Sequence, residues 1–274
     1  MELEFKTEKV TARITRIFAF NSELVYLVEG EDRAVLIDTG SGFGSLRKCV
    51  EKLTDKPVTV LLTHGHTDHA LGAAEFDEVY ISPLEALSYA IHSEMTFRRK
   101  SGQMWPEFCS LCDDQIVPAM PFEKMKPLHE GDVFDLGGIS VEVFDCAGHT
   151  PGSLTMLIPE ERMLLLGDAC NYLVFLFDDL SLCVSDYKHS LEALLNKVRG
   201  RYDQVLLSHG YGDGVPNMIE YVIDVCDDLM RGANDKFPFV FLGTEAYLAK
   251  AVNDNGERVD GGFGNIVYSE RTLR

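Results

Sequence analysis

The chain has 274 residues, of which 46% are hydrophobic and 25% are charged, and its formal net charge at pH 7 is −19. This composition is typical of a globular protein, and no apolar run approaches the ~20 residues that a membrane span requires. Because an acidic surface repels phosphate backbones, we expect neither nucleic acid nor a membrane as a partner.

The first half of the chain alternates between strand and helix patterns. Apolar and β-branched periodicity predicts strands over 12–19, 24–29, 33–37 and 58–62, and a further short strand at the end of 75–81. A turn over 38–42 leads to a helix near 44–53, and a second helix over 83–91 has proline in its first turn.

Residues 92–128 differ from the segments around them. They contain Trp105, four prolines and several methionines, with weak periodicity. This pattern predicts an insert of loop and short helices, and apolar inserts beside a site often cover the substrate. Whether 92–128 is such a cover or a subunit interface stays open at this point.

The second half has a similar organisation. The pattern predicts strands over 139–144, 163–166 and 205–207, with a helix over 187–199. A carboxyl-terminal extension from about 215 carries predicted helices over 217–231 and 243–252, a glycine-rich turn over 261–264 and a last strand over 265–269. No low-complexity linker separates the halves, so we expect one domain over 1–274.

The amino terminus and the cysteines bear on the cellular compartment. The start of the chain lacks the basic and apolar regions of a secretory signal, so a cytoplasmic location is expected. The seven cysteines lack the spacing of a disulfide framework, which favours reduced thiols. Cys109 and Cys112 form a CxxC pair without a second pair, and a metal or redox role for them is not favoured.

The run from His64 to His69 is the most informative stretch of the chain. It holds His64, His66, Asp68 and His69 directly after the predicted strand over 58–62. Imidazoles and a carboxylate so close together gain little from packing, whereas zinc and iron accept both as ligands. The run therefore predicts a metal site on a loop held by a buried strand.

Three more ligand-type residues follow predicted strands later in the chain. They are His149 within Gly-His-Thr-Pro-Gly-Ser over 148–153, Asp168 after Gly167, and His209 between Ser208 and Gly210. The order HxHxDH, GHTPGS, GD and SHG resembles the metallo-β-lactamase-fold superfamily from the early turn at Asp38 to His209. The resemblance implies an α/β fold, an αββα sandwich of two mixed sheets flanked by helices, with metals at one edge.

The resemblance also implies a division of the ligands between two divalent metal ions. His64, His66 and His149 would hold the first ion, Asp68, His69 and His209 the second, and Asp168 would bridge both. Zinc is the expected metal, with iron or manganese as alternatives. A hydroxide shared by the two ions is the implied nucleophile, since bound water loses its proton near neutral pH.

The ligand set bears on the reaction. A full set with Asp168 and His209 resembles the glyoxalase II and lactonase-like branch rather than the antibiotic-degrading branch. We therefore expect a metal-dependent hydrolase acting on an ester, thioester or lactone of a small molecule. The alternatives are a phosphodiesterase on a small substrate, an iron-dependent redox enzyme similar to persulfide dioxygenases, or a non-catalytic binding protein.

Several residues near the ligands are candidates for proton transfer, substrate binding or support of the histidine loop. Asp68 is expected to carry a proton to the leaving group as well as bind metal, and Asn171 or Tyr172 is a candidate donor to the substrate oxygen. Asp38 is expected to support the histidine loop by hydrogen bonds. His92, His129 and His189 match no ligand position and are read as surface or core residues.

The sequence leaves the substrate and the oligomeric state open. The expected walls of the site are 92–128, 170–180 and the carboxyl-terminal part, and the first contains apolar Met95, Phe97, Met104, Trp105 and Phe108. Both apolar stretches, 92–128 and 172–177, suit a substrate wall, the core or a subunit interface equally well. A homodimer is compatible with this pattern.

Overall fold

The computed structural model describes residues 4–20, 22–104 and 106–273, so Trp105 of the predicted insert lies outside the described residues. The strands are β1 Lys6–Lys9, β2 Ile14–Phe18, β3 Leu24–Glu29, β4 Ala34–Ile37, β5 Val58–Leu61, β6 Val79–Ile81, β7 Lys126–Pro127, β8 Val133–Asp135, β9 Ser140–Asp145, β10 Leu154–Ile158, β11 Met163–Leu165, β12 Val174–Leu176, β13 Gln204–Leu206, β14 Asp213–Gly214, β15 Phe237–Phe241, β16 Thr244–Leu248 and β17 Ile266–Tyr268. The α-helices are α1 Leu46–Leu53, α2 Thr67–Ala70, α3 Ala86–Ser93, α4 Met95–Ser101, α5 Pro106–Cys109, α6 Val184–Val198 and α7 Met218–Met230.

Two mixed sheets form the centre of the fold. The first has the order β1-β2-β3-β4-β5-β6-β7, in which the strands from β1 to β4 are antiparallel and those from β4 to β7 are parallel. The second has the order β14-β13-β11-β10-β9-β8, and its one parallel pair among the described strands is β11 with β13. A third, four-stranded sheet has the order β12-β17-β16-β15.

Alternating side chains of β3 show how the layers form. Successive residues of a strand point to opposite faces, so Tyr26 and Val28 join the core between the two large sheets while Val25 and Leu27 join the core under α1. Both sets are completely buried. A third core packs α6 and α7 against the outer face of the second sheet. The predicted αββα architecture is confirmed.

Most predicted elements are present, but the helix predicted over 243–252 is wrong. Its glutamate, alanine and leucine residues favour helix locally. The structure instead pairs β16 with the aromatic strand β15, because Leu242 and Gly243 both adopt positive φ, 48° and 84°, and close a tight hairpin. No helix within the described ranges is long and apolar enough to cross a membrane.

Candidate metal centre

The strands that carry the predicted ligands end at one edge of the sandwich. The run from His64 follows β5 and enters α2, while His149, Asp168 and His209 follow β9, β11 and β13. All seven predicted ligands come together there. Their ligand-type atoms lie within 4.8 Å of one another in three groups, which are His64 with His66 and His149, His64 with His69 and Asp168, and Asp68 with His69 and His209.

In the first group the lone pairs of the imidazoles converge. His149 Nδ1 donates to the carbonyl oxygen of Phe175 at 2.8 Å, so its Nε2 carries no proton in the neutral ring. That Nε2 lies 3.0 Å from His66 Nδ1. His64 Nε2 is buried and has no hydrogen-bond partner among the described residues. Unpartnered buried nitrogens that face each other fit a cation between them.

Asp168 lies between the two halves of the cluster. Its Oδ2 is 3.2 Å from His209 Nε2, 3.4 Å from His69 Nε2 and 3.9 Å from His149 Nε2. Its other oxygen, Oδ1, is buried without a hydrogen-bond partner among the described residues, as is His69 Nε2. A shared carboxylate with nitrogen and oxygen donors on both sides suits a pair of divalent ions.

Electrostatics divide the cluster into a neutral part and a charged part. Burial and the neighbouring imidazoles lower the pKa of His64 well below its usual value. Burial opposes the charged form of His69, but Asp68 and Asp168 raise its pKa well above the usual value. Burial also opposes the charged form of Asp168, which would raise its pKa, yet His209 and His69 hold that pKa well below its usual range. The carboxylates therefore stay ionised, as metal ligation requires.

Asp38 supports the histidine loop, as the sequence predicts. Its Oδ2 accepts a hydrogen bond from His69 Nδ1 at 2.8 Å, and its Oδ1 accepts from the backbone of Thr63 at 2.8 Å. The Thr63 hydroxyl donates to Asp38 Oδ2 at 2.8 Å and lies 3.0 Å from His64 Nδ1. One buried carboxylate thus orients His69 directly and His64 through a hydroxyl.

Glu85 is a buried carboxylate that the sequence analysis missed. It accepts hydrogen bonds from the backbone N–H groups of Gly65 and Gly152, both at 2.7 Å. Gly65 separates two predicted ligands, and Gly152 lies on the His149 loop. Glu85 therefore ties together the two loops that carry the first group of imidazoles. Only its place in the first turn of the predicted helix over 83–91 was visible in the sequence.

His92 is also part of the site, which contradicts its reading as an ordinary surface or core residue. Its ring stacks on His66 with centroids 3.9 Å apart and planes 9° apart. The Thr67 N–H donates to His92 Nδ1 at 3.2 Å. His129 and His189 are exposed and lie away from the cluster, as expected.

A cavity of about 570 Å³ opens onto the cluster. Residues of all three predicted wall segments line it, namely His92, Phe97, Lys100 and Ser101, then Asn171–Leu173, Phe175, Phe177 and Asp178, then Phe241, Leu242 and Thr244. Tyr172 is 43% exposed on this wall. The side-chain oxygen of Asn171 accepts a hydrogen bond from the backbone N–H of Leu173 at 2.8 Å, so this oxygen stabilises the local turn.

Comparison with known proteins adds to this geometry. A family model described as the metallo-beta-lactamase superfamily matches residues 20–209. The acyl-coenzyme A thioesterase MBLAC2 of Homo sapiens is 29% identical over 215 residues, which cover 69% of this chain and 73% of the relative.

Two solved structures have the same fold. A metallo-beta-lactamase from Pontibacter korlensis gives a TM-score of 0.61 at 17% identity, over 82% of this chain and all of that chain. The superfamily protein ST1585 from Sulfolobus tokodaii gives 0.58 at 18% identity, over 84% of this chain and 90% of that chain. At such identities the likeness concerns the fold alone.

Proposed function

Because the chain belongs to the metallo-β-lactamase superfamily and is a hydrolase, we propose that it uses two divalent metal ions to hydrolyse a thioester, ester or lactone of a small molecule. The observation that carries the proposal is the position of Asp168. Its carboxylate joins two groups of donors whose buried nitrogens, His64 Nε2 and His69 Nε2, have no hydrogen-bond partner in the described part of the chain.

The proposed division of the ligands is the one that the family resemblance implies. His64, His66 and His149 would hold one ion, Asp68, His69 and His209 the other, and Asp168 would contact both. Zinc is the simplest choice for this set of imidazoles and carboxylates. The chemistry that such a pair supplies is polarisation of a substrate carbonyl and a lowered pKa for water.

The protein's own side chains would position the substrate and move protons. Asp68, whose side chain is 31% exposed beside the cluster, is the proposed carrier of a proton to the leaving group. Burial opposes its ionisation, but His69 and His209 hold its pKa below the usual value, so it would release such a proton readily. Tyr172, one of the residues that line the cavity, is the proposed donor to the substrate oxygen. Asp38 and Glu85 hold the loops in place, which keeps the ligands in one geometry before substrate arrives.

A thioester is the favoured substrate within this class. The relative named acyl-coenzyme A thioesterase covers 69% of this chain. Outside the proposed metal ligands, much of the described cavity lining is aromatic or aliphatic and Lys100 is its one lysine or arginine, so the lining offers little to pair with the charge of a phosphodiester.

A substrate panel tests the proposal. Protein loaded with zinc, manganese or iron is assayed against acyl thioesters, lactones and phosphodiesters, with oxygen uptake recorded in parallel. We expect thioester hydrolysis that Asp168→Ala and His66→Ala abolish while circular dichroism shows both variants folded. His189→Ala, at an exposed position, is the matched control. Phosphodiester turnover alone, or oxygen uptake with iron, would overturn the proposal.

A further inference from the structure

We propose that the cavity beside the cluster is an acyl-chain site, in which the apolar chain of the substrate lies against a wall of phenylalanines. This inference rests on the proposed function and names the part of the substrate that the protein selects. It is carried by the rings of Phe175, Phe177 and Phe241, which line the cavity and contact each other. Their centroids are 4.9 Å apart for Phe175 and Phe241 and 5.4 Å for Phe175 and Phe177.

The wall and the cluster are joined by one residue. Phe175 presents its ring to the cavity, and its carbonyl oxygen accepts the hydrogen bond from His149 Nδ1 at 2.8 Å. The apolar surface therefore begins immediately beside a proposed metal ligand. A substrate whose carbonyl is at the cluster has its next carbons within reach of this surface.

One phenylalanine of the wall comes from the carboxyl-terminal part of the chain. Phe241 ends β15 and Leu242 follows in the hairpin turn, both beyond residue 209, where the match to the family model ends. The hairpin pairs through β17 with β12, which carries Phe175. Phe97 of α4 also lines the cavity and contacts His92, with ring centroids 4.2 Å apart. Selectivity would thus depend in part on a hairpin beyond the segment that matches the family model.

The chemistry of the lining favours the acyl part over the leaving group. The cavity volume of about 570 Å³ lies in the range of ~300–1,000 Å³ typical of small-molecule sites. The thiol leaving groups of biological thioesters are polar and commonly phosphorylated, whereas the side chains of the phenylalanine wall can form no conventional hydrogen bond with them. Methylene groups gain free energy by leaving water for such a surface.

A chain-length series tests the acyl-chain site. The zinc-loaded protein is assayed with acetyl, hexanoyl and decanoyl thioesters of N-acetylcysteamine, which share one leaving group. We expect kcat/KM to rise about fourfold per added methylene until the cavity is filled. Phe241→Ala flattens this rise, so the ratio of kcat/KM for the decanoyl thioester to that for the acetyl thioester falls. Val240→Ala is the matched control, because Val240 is 65% exposed and points to the other face of the same hairpin.

A binding measurement gives a readout that does not depend on turnover. Decanoate and acetate are titrated calorimetrically into chelator-treated protein. We expect decanoate to bind, acetate not to bind, and Phe241→Ala to weaken decanoate binding about tenfold or more. Phe97→Ala, at another aromatic residue of the cavity lining, also weakens decanoate binding and replaces Phe241→Ala if that variant does not fold.

The two proposals fail in different ways. Equal kcat/KM for acetyl and decanoyl thioesters would overturn the acyl-chain site and leave the hydrolase proposal standing. If no thioester is cleaved, the binding arm decides: decanoate binding that Phe241→Ala weakens supports the site, and absence of binding overturns it. Selectivity that follows the hydrophobicity of the leaving group instead also overturns it.

Discussion

Asp38 Oδ2 lies 2.8 Å from His69 Nδ1, and the backbone of this buried residue has a positive φ of 65°. We expect Asp38→Asn to lower metal affinity about 10- to 100-fold, because the loss of charge weakens the orientation of His69. Asparagine tolerates positive φ, so the backbone is not strained by the change. The measurement is competition with a chelator. Asp32→Asn, at an exposed position, is the control, and unchanged affinity in Asp38→Asn would refute the supporting role.

Glu85→Gln tests the tie between the two ligand loops. An amide keeps one acceptor oxygen and turns an NH₂ group toward the other backbone N–H, either Gly65 or Gly152. We expect the free energy of unfolding to fall by about 1–3 kcal/mol, as for a buried group left unpaired. Urea denaturation measures it. Glu94→Gln, which is exposed, is the control, and an equal effect in both variants would show that Glu85 does not tie the loops.

His92 gives a pH-dependent prediction. Burial lowers its pKa from 6.5 to about 4, so the folded protein favours the neutral ring. Its contribution to stability is fully present above pH 6.5 and is lost as the pH falls through about 4. In chelator-treated protein, we expect His92→Phe, which keeps a flat ring against His66, to lose less stability than wild type over this interval. Urea midpoints give the comparison, with the exposed His189→Gln as control; parallel curves for wild type and His92→Phe would contradict the prediction.

Thiol reactivity tests the burial of the cysteines. All seven are free, Cys109 and Cys112 are exposed, and burial raises the pKa of Cys146 and Cys226 to about 12. Since the thiolate is the reactive form, iodoacetamide at about pH 8 modifies Cys109 and Cys112 rapidly and spares Cys146 and Cys226 until urea is added. Peptide mass spectrometry locates the label. Rapid labelling of Cys146 in the folded protein would contradict the described core.

The sequence predicted the parts of the site that depend on local pattern. His64, His66, Asp68 and His69 follow a recognisable buried strand. The later strands β9, β11 and β13 run in one direction in the second sheet, so their ends meet at the same edge. Family resemblance then joined His149, Asp168 and His209 to them.

Other contacts depend on how distant segments pack, and the sequence does not reveal them. Glu85 and His92 meet the ligand loops only because α3 lies against α2, so no spacing rule points to either residue. The second strand of the hairpin that carries Phe241, β16, lies in the segment predicted as a helix over 243–252, because its residues favour helix when considered alone. Its strand pairing, which outweighs that preference, is a property of the fold.

The proposed pair of metal ions is tested most directly by the metal content of the purified protein, measured by inductively coupled plasma mass spectrometry alongside thioester hydrolysis. We expect two divalent ions per chain, and we expect hydrolysis that chelation removes and added zinc restores. In Asp168→Ala both the second ion and hydrolysis are lost. A single iron per chain with oxygen uptake, or hydrolysis that survives complete removal of metal, would contradict the account.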